Sequence, residues 1–181
     1  MTAHVSAFGS KLGSKNFEAD TVPGPSHAAT YDRARRRANI AMWTMALQIR
    51  RLHSKEPEDD KFLFRMWADV DFLIVGLTRL RRAAVLSAKV PAIKNDIQAA
   101  LRKFDATLPM LKKMRNVAEH FDDYAMDKGR HTDVRRGGLE VGSFSDKTFN
   151  WLNCELDFDV ALQAGSRLFE AIKKARSKIV E

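Results

Sequence analysis

The chain has 181 residues, enough to bury one core, and its 45% hydrophobic content is that of an ordinary globular domain. A single cysteine, Cys154, excludes an internal disulfide framework and any multi-cysteine zinc site. The formal net charge of +8, with a pI near 9.8, favours polyanionic partners: nucleic acid, an acidic protein or a phosphate-bearing ligand.

The first 20 residues lack a continuous apolar leader, and no run of about 18 uncharged apolar residues occurs. The most apolar segment, Phe62 to Leu77, is interrupted by Arg65, Asp69 and Asp71. Together with the lone cysteine, which suits a reducing compartment, this predicts a cytoplasmic protein without a membrane partner.

Residues 1–28 are rich in Ser, Gly, Ala and Pro, with a turn or linker at Val22-Pro23-Gly24-Pro25-Ser26, and read as a mobile or loosely docked arm ahead of one domain spanning 29–181. His4 and His27 fall in this arm and are incidental. Periodicity then predicts a first helix from Thr30 to Ser54, with Met42, Ala46, Ile49 and Leu52 on one stripe, widened by Ile40, Trp43 and Leu47. Its start is basic, at Arg33, Arg35, Arg36 and Arg37, against the helix dipole. That pattern fits an anion-binding arm or, more simply, a solvated run beside Asp32.

A second helix is predicted from Pro57 to Ala88. Pro57 suits a first helical position, and Glu58, Asp59 and Asp60 place acids in the first turn. It is the most apolar element, so Asp69 and Asp71 require a partner, expected to be an Arg or Lys of a neighbouring helix. Pro91 opens a third helix with Ile93, Ile97, Leu101 and Phe104 on one face, and Thr107 is placed as the N-cap of a fourth. The fourth runs from Leu108 to Asp127, with Met114, Val117 and Phe121 toward the core. Residues 128–148 form a basic, glycine-broken loop. Leu139 to Ser143 and Thr148 to Leu156 predict a hairpin, and Asp157 caps the last helix. The fold class expected is all-α, an up-and-down bundle of about five helices with a short β-hairpin before the last.

The chemistry concentrates in Met114-Arg115-Asn116-Val117-Ala118-Glu119-His120-Phe121-Asp122-Asp123-Tyr124. Arginine, an amide and an imidazole are the groups that cleavage of RNA without a metal needs: a phosphate clamp, an orienting hydrogen bond and a proton carrier. At about 100° per residue, Asn116 and His120 share one helix face, and Asp123 and Tyr124 extend it into a polar ridge beside the core stripe. Any exposed helix face supplies such a ridge, and the bare Arg-to-His spacing arises by chance in a chain of this composition. The value of the motif lies in its context on a late amphipathic helix. Arg79, Arg81 and Arg82, with Lys112 and Lys113, are candidates for an RNA track, each alone also fitting a solvated face. His120, Asp123 and His131 make a weak metal set, and neither a metal nor a cofactor is expected.

Arg115-Asn116-Val117-Ala118-Glu119-His120 resembles the motif of the HEPN superfamily of helical-bundle domains, whose nuclease members carry Arg, a polar residue and His after four to six intervening residues. The resemblance covers roughly residues 30–180 at the level of fold and this hexapeptide in detail. It implies a metal-independent endoribonuclease with Arg115, Asn116 and His120 as catalytic residues, and Glu119, Asp123 and Tyr124 in support. It also implies a homodimer with composite sites, and membership in toxin–antitoxin or anti-phage systems, with an antitoxin protein as partner. In HEPN toxins paired with nucleotidyltransferase antitoxins, a tyrosine sits two residues after the histidine. Asp122 stands there in this chain and the tyrosine is Tyr124, which argues against control by tyrosine modification. The alternative is a non-catalytic helical module that binds RNA, nucleotide or a protein partner.

Overall fold

The computed structural model describes residues 24–179, so the arm expected over 1–28 lies, through residue 23 and including His4, outside the described residues. Of its remainder, His27 already belongs to the first helix. The fold is mainly helical, with a small antiparallel sheet inserted before the last helix. Helix α1 is His27–Leu52, α2 is Phe64–Ser87, α3 is Lys94–Thr107, α4 is Leu111–Glu119, α5 is Phe121–Ala125 and α6 is Phe158–Lys174. Strands β1 (Gly142–Phe144), β2 (Thr148–Trp151) and β3 (Cys154–Asp157) form a meander in that order.

Helix α1 starts where Ser26 Oγ accepts from the Ala29 N–H at 3.1 Å, a serine N-cap. Its Ala34, Ala38, Ala41, Met45, Ile49 and Leu52 are buried; of the predicted stripe Met42 is half-buried and Ala46 exposed, and Ile40, Trp43 and Leu47, expected to widen it, are exposed. The small alanines let α2 approach closely. Two contacts fix the relative direction of the pair. Arg51, at the end of α1, donates to Asp69 near the start of α2 at 2.8 Å. Met45, in the middle of α1, lies against Gly76, where an added Cβ would stand 3.0 Å from Met45 Cγ. The helices are therefore antiparallel. Helix α6 joins them at the same point, because a Cβ on Gly165 would fall 2.4 Å from Met45 Cε. Tyr31, fully buried, donates its hydroxyl to Ile172 O at 2.9 Å and ties the start of α1 to the end of α6.

The predicted second helix is interrupted. Pro57–Asp60 forms a separate 3-10 turn, because Asp59 takes the Glu56 N–H at 3.0 Å and Arg65 Nε at 3.1 Å and holds that turn apart from α2. Asp69 has the partners the sequence required, Arg51 of α1 and Arg65 at 3.2 Å, whereas Asp71, expected to need one too, faces outward and has no cation within ion-pair distance among the described residues. Thr107 is the last residue of α3 and not an N-cap. Its hydroxyl turns back to Lys103 O at 2.9 Å.

The expected hairpin is a three-stranded sheet, because the segment taken as one second strand folds back at Leu152-Asn153. Both residues adopt positive φ, 57° and 59°, the backbone of a tight two-residue turn normally signalled by Asn-Gly. The sheet packs on α2 through Trp67, which meets Phe149 at 5.0 Å and Trp151 at 5.7 Å edge-on. Asp157 caps α6 as expected, accepting from the Val160 N–H at 2.8 Å. Among the described residues no helix is long and apolar enough to cross a membrane.

Removing the Asp69 carboxylate leaves the partly buried Arg65 guanidinium with fewer acceptors and frees Arg51. Asp69→Ala is expected to lower stability by about 2 kcal/mol. A urea midpoint that moves down at unchanged slope is the readout, and an unchanged midpoint would show the network to be dispensable.

Candidate functional site

The fourth helix does not run unbroken. It stops at His120, whose backbone (φ −122°, ψ 39°) leaves the helical region, and α5 restarts one residue later. The break shifts the helical phase of every residue after it. Phe121, expected in the core, is 40% exposed, and Tyr124, expected on a polar ridge, is 2% exposed. A buried phenol needs hydrogen-bond partners, and Tyr124 has two. Its hydroxyl donates to Asn116 Oδ1 at 2.6 Å and accepts the His131 N–H at 3.0 Å. The His131 ring stacks on it, centroids 6.4 Å apart. Gly129 is required beside it, since a Cβ there would stand 2.1 Å from the Tyr124 ring. Asn116 and Tyr124 thus clamp the 126–141 loop to α4.

The other motif residues lie outside that clamp. Arg115 is ion-paired with Glu119 one turn on, with its side chain about a third exposed. Its buried Nε–H has no acceptor among the described residues. His120 is exposed, with 53% of its side chain accessible, and Nδ1 is 3.9 Å from Asp123 Oδ2, too far for a hydrogen bond. So Arg115, Asn116 and His120 follow one another along one helix end, but Arg115 engages Glu119, Asn116 engages Tyr124 and His120 stands in solvent. The ridge of Asn116, His120, Asp123 and Tyr124 does not exist as one surface.

What the fold does assemble is a basic band. A cleft of about 420 Å³ between α2, α3 and α4 is lined by Arg81, Arg82, Lys112 and Arg115, with Asp105 as its carboxylate. Asp105 holds Arg81 bidentately, Nε to Oδ1 and Nη2 to Oδ2 both 2.7 Å, and the pairing lifts the Arg81 guanidinium further above its ordinary pKa. Arg82 also lines a neighbouring cleft of about 330 Å³ with Arg37 and Arg79. One residue therefore joins two clefts across α1, α2 and α4. The sequence marked Arg79, Arg81, Arg82 and Lys112 separately. Arg37 was visible only as part of the basic start of α1, and the antiparallel pairing of α1 and α2 brings it to Arg79 and Arg82.

Lys113 is not on this band. It donates to Leu152 O at 3.1 Å and pairs with Asp133, fastening the loop and the β2–β3 turn to α4. The hydrogen bond from Lys113 holds the Asp133 carboxyl below its ordinary value. A depressed carboxyl contributes stability present above about pH 4 and lost as pH falls through the lowered value. Among the described residues no group of three or more His, Cys, Asp or Glu is arranged to hold a metal ion, and His120, Asp123 and His131 do not form one.

No protein-family model matches this chain, and no curated protein or solved structure matches it either.

The clamp and the exposed histidine should separate in stability measurements. Tyr124→Phe and Asn116→Ala are each expected to cost about 1–2 kcal/mol, because a buried donor or acceptor loses its partner. His120→Ala should stay within about 0.5 kcal/mol of the parent. Equal losses at all three positions, by thermal or urea unfolding, would contradict this division.

Proposed function

We propose that this protein binds RNA along the band on α1, α2 and α4 and cuts it as a metal-independent endoribonuclease of HEPN type. The observation that carries the reading is the convergence of Arg37, Arg79, Arg82, Lys112 and Arg115 on one band that leads to the helix ending in an exposed His120. Five cations along two joined clefts suit a phosphate backbone. Arg37, Arg79, Arg82 and Lys112 are exposed and have no carboxylate within the ion-pair distance among the described residues.

Arg115 can be released to a phosphate at low cost. An exposed i,i+4 ion pair contributes about 0.3–0.5 kcal/mol, whereas a charge-assisted bidentate contact to phosphate is stronger. In the proposed reaction His120 takes the proton of a ribose 2′-hydroxyl and the 2′-oxygen attacks the adjacent phosphorus. The bond to the 5′-oxygen breaks, leaving a cyclic phosphate, and an imidazolium returns a proton to the leaving oxygen. Arg115 balances the charge that develops on the phosphate. Asn116 takes part by fixing the helix end through Tyr124. A single helix end surrounds only part of a phosphodiester, so the proposal includes a homodimer whose second copy completes the site. Membership in a toxin–antitoxin or anti-phage system, with an antitoxin protein as partner, belongs to the same proposal, as does a cytoplasmic setting. Control by modification of Tyr124 does not, because that hydroxyl is buried and already shared by Asn116 and His131.

A second reading is favoured by two contacts: Arg115 is held by Glu119, and Asn116 by Tyr124. On it, the same band serves a non-catalytic module that binds RNA, nucleotide or a protein partner.

A labelled RNA oligonucleotide should be cut in the presence of EDTA, and the all-deoxy analogue should not. His120→Ala should slow cutting by about two to four orders of magnitude while leaving affinity unchanged. Binding without any cleavage would establish the second reading, and loss of cutting on chelation would overturn the mechanism.

Affinity for RNA should fall steeply with salt. Arg82→Glu, at the junction of the two clefts, should weaken it about tenfold and flatten the salt dependence by about one contact. Affinity that barely responds to salt would exclude the phosphate track.

A further inference from the structure

A third cleft, of about 530 Å³, opens beside the C-terminal end of α4, where the helix break, the first turns of α2 and the segment before β1 meet. Its size lies within the range of small-molecule sites. Four aromatic rings line it, those of Phe64, Trp67, Phe121 and Trp151, together with the carboxylates of Asp71 and Glu140. The rings are of two kinds. Trp67 and Trp151 are fixed: they pack edge-on at 5.7 Å, and the Trp151 indole N–H is already given to Leu139 O at 2.9 Å. Phe64 and Phe121 are exposed at the rim, Phe64 at 76% and Phe121 at 40%.

Neither carboxylate has a Lys, Arg or His within ion-pair distance among the described residues, although the chain carries 31 Lys and Arg against 23 Asp and Glu. Asp71 stays accessible to solvent from the cleft, yet the protein around it displaces enough water to push its carboxyl above the ordinary pKa, with no cation to oppose the shift. Aromatic rings attract cations, and unpaired carboxylates beside them do so more strongly. A hard divalent metal is a poor occupant, since rings supply no oxygen ligands and no metal-holding group of three exists among the described residues. An organic cation with an alkyl chain meets both features of the lining.

We propose that this cleft binds a small aliphatic polyamine, its ammonium groups on Asp71 and Glu140 and its methylene chain against Phe64, Trp67, Phe121 and Trp151. This is independent of the RNA reading and uses none of its residues. A chain of net positive charge does not gather cations through its overall field, so saturable binding would be a property of the cleft.

The test is a titration of the full chain with spermidine at constant ionic strength. A Trp43→Phe background leaves Trp67 and Trp151 as the only indoles. The expected result is a saturable change in their emission at submillimolar spermidine, weakened at least about tenfold by Asp71→Asn and about threefold by Phe64→Ala. Asp122→Asn, an exposed acid outside the lining, should leave it unchanged. The Asp71 carboxyl is raised in the folded protein, so its charge opposes folding at neutral pH, and Asp71→Asn should unfold at the same or a higher temperature. If that variant proves less stable, Phe64→Ala decides, being a change at an exposed ring. The proposal is overturned if magnesium chloride at matched ionic strength gives the same response, or if no saturation occurs. It is also overturned if Asp71→Asn and Phe64→Ala both bind as the parent does. An arginine-rich peptide that binds at least tenfold more tightly than spermidine, with the same dependence on Asp71, would replace the small ligand by a protein partner.

Discussion

Three helices of this protein meet at one methionine. Met45 is fully buried, and it fits only because α2 and α6 each present a glycine to it, Gly76 and Gly165. In a close-packed interior, that arrangement sets how α1 lies against both neighbours. The consequences run outward in both directions along the α1–α2 pair. Toward one end Arg51 reaches Asp69, a buried carboxylate that otherwise has Arg65 alone as its cation. Toward the other, Arg37 arrives beside Arg79 and Arg82. The electrostatics of the surface are therefore a product of packing in the core: a one-turn slip of α1 would separate the arginines and take Arg51 from Asp69.

The helices were legible because apolar periodicity is a property of neighbouring residues. The demand for a partner at Asp69 and the cap at Asp157 were legible for the same reason, since both arise from local physical requirements. Most of the misplaced features depended on contacts between segments. Periodicity alone carried the fourth helix through His120, placing Phe121 inside and Tyr124 outside. The structure reverses them, because a broken helix lets the Tyr124 hydroxyl reach Asn116 and the His131 amide at once. The turn at Leu152-Asn153 was invisible because neither residue is a glycine, and its outside support, the Lys113 ammonium on Leu152 O, comes from a distant helix. Thr107 satisfies its hydroxyl within α3, as threonines at helix ends commonly do, and so gives no start signal for α4.

The motif that drew attention to α4 holds two kinds of residue. Asn116 serves the fold through Tyr124, as does the nearby lysine, Lys113, through Asp133 and the Leu152 carbonyl. Arg115 and His120 serve no comparable purpose: one is held by an ion pair on its own helix, and the other stands in solvent. Residue type alone could not make that distinction. In sequence all four are polar groups at helical spacing, and only the course of the loop over 126–141 decides which of them are enclosed.

That loop is fastened to the α4–α5 segment through two side chains, the Tyr124 hydroxyl and the Lys113 ammonium, and to β2 where Leu139 O accepts the Trp151 indole N–H. The His131 amide hydrogen faces the first of these and has no other acceptor. Its exchange with solvent therefore requires the loop to lift from the phenol, not the whole domain to unfold. A single backbone hydrogen thus reads out the opening of the 126–141 loop, on the timescale of local unfolding and without any added label.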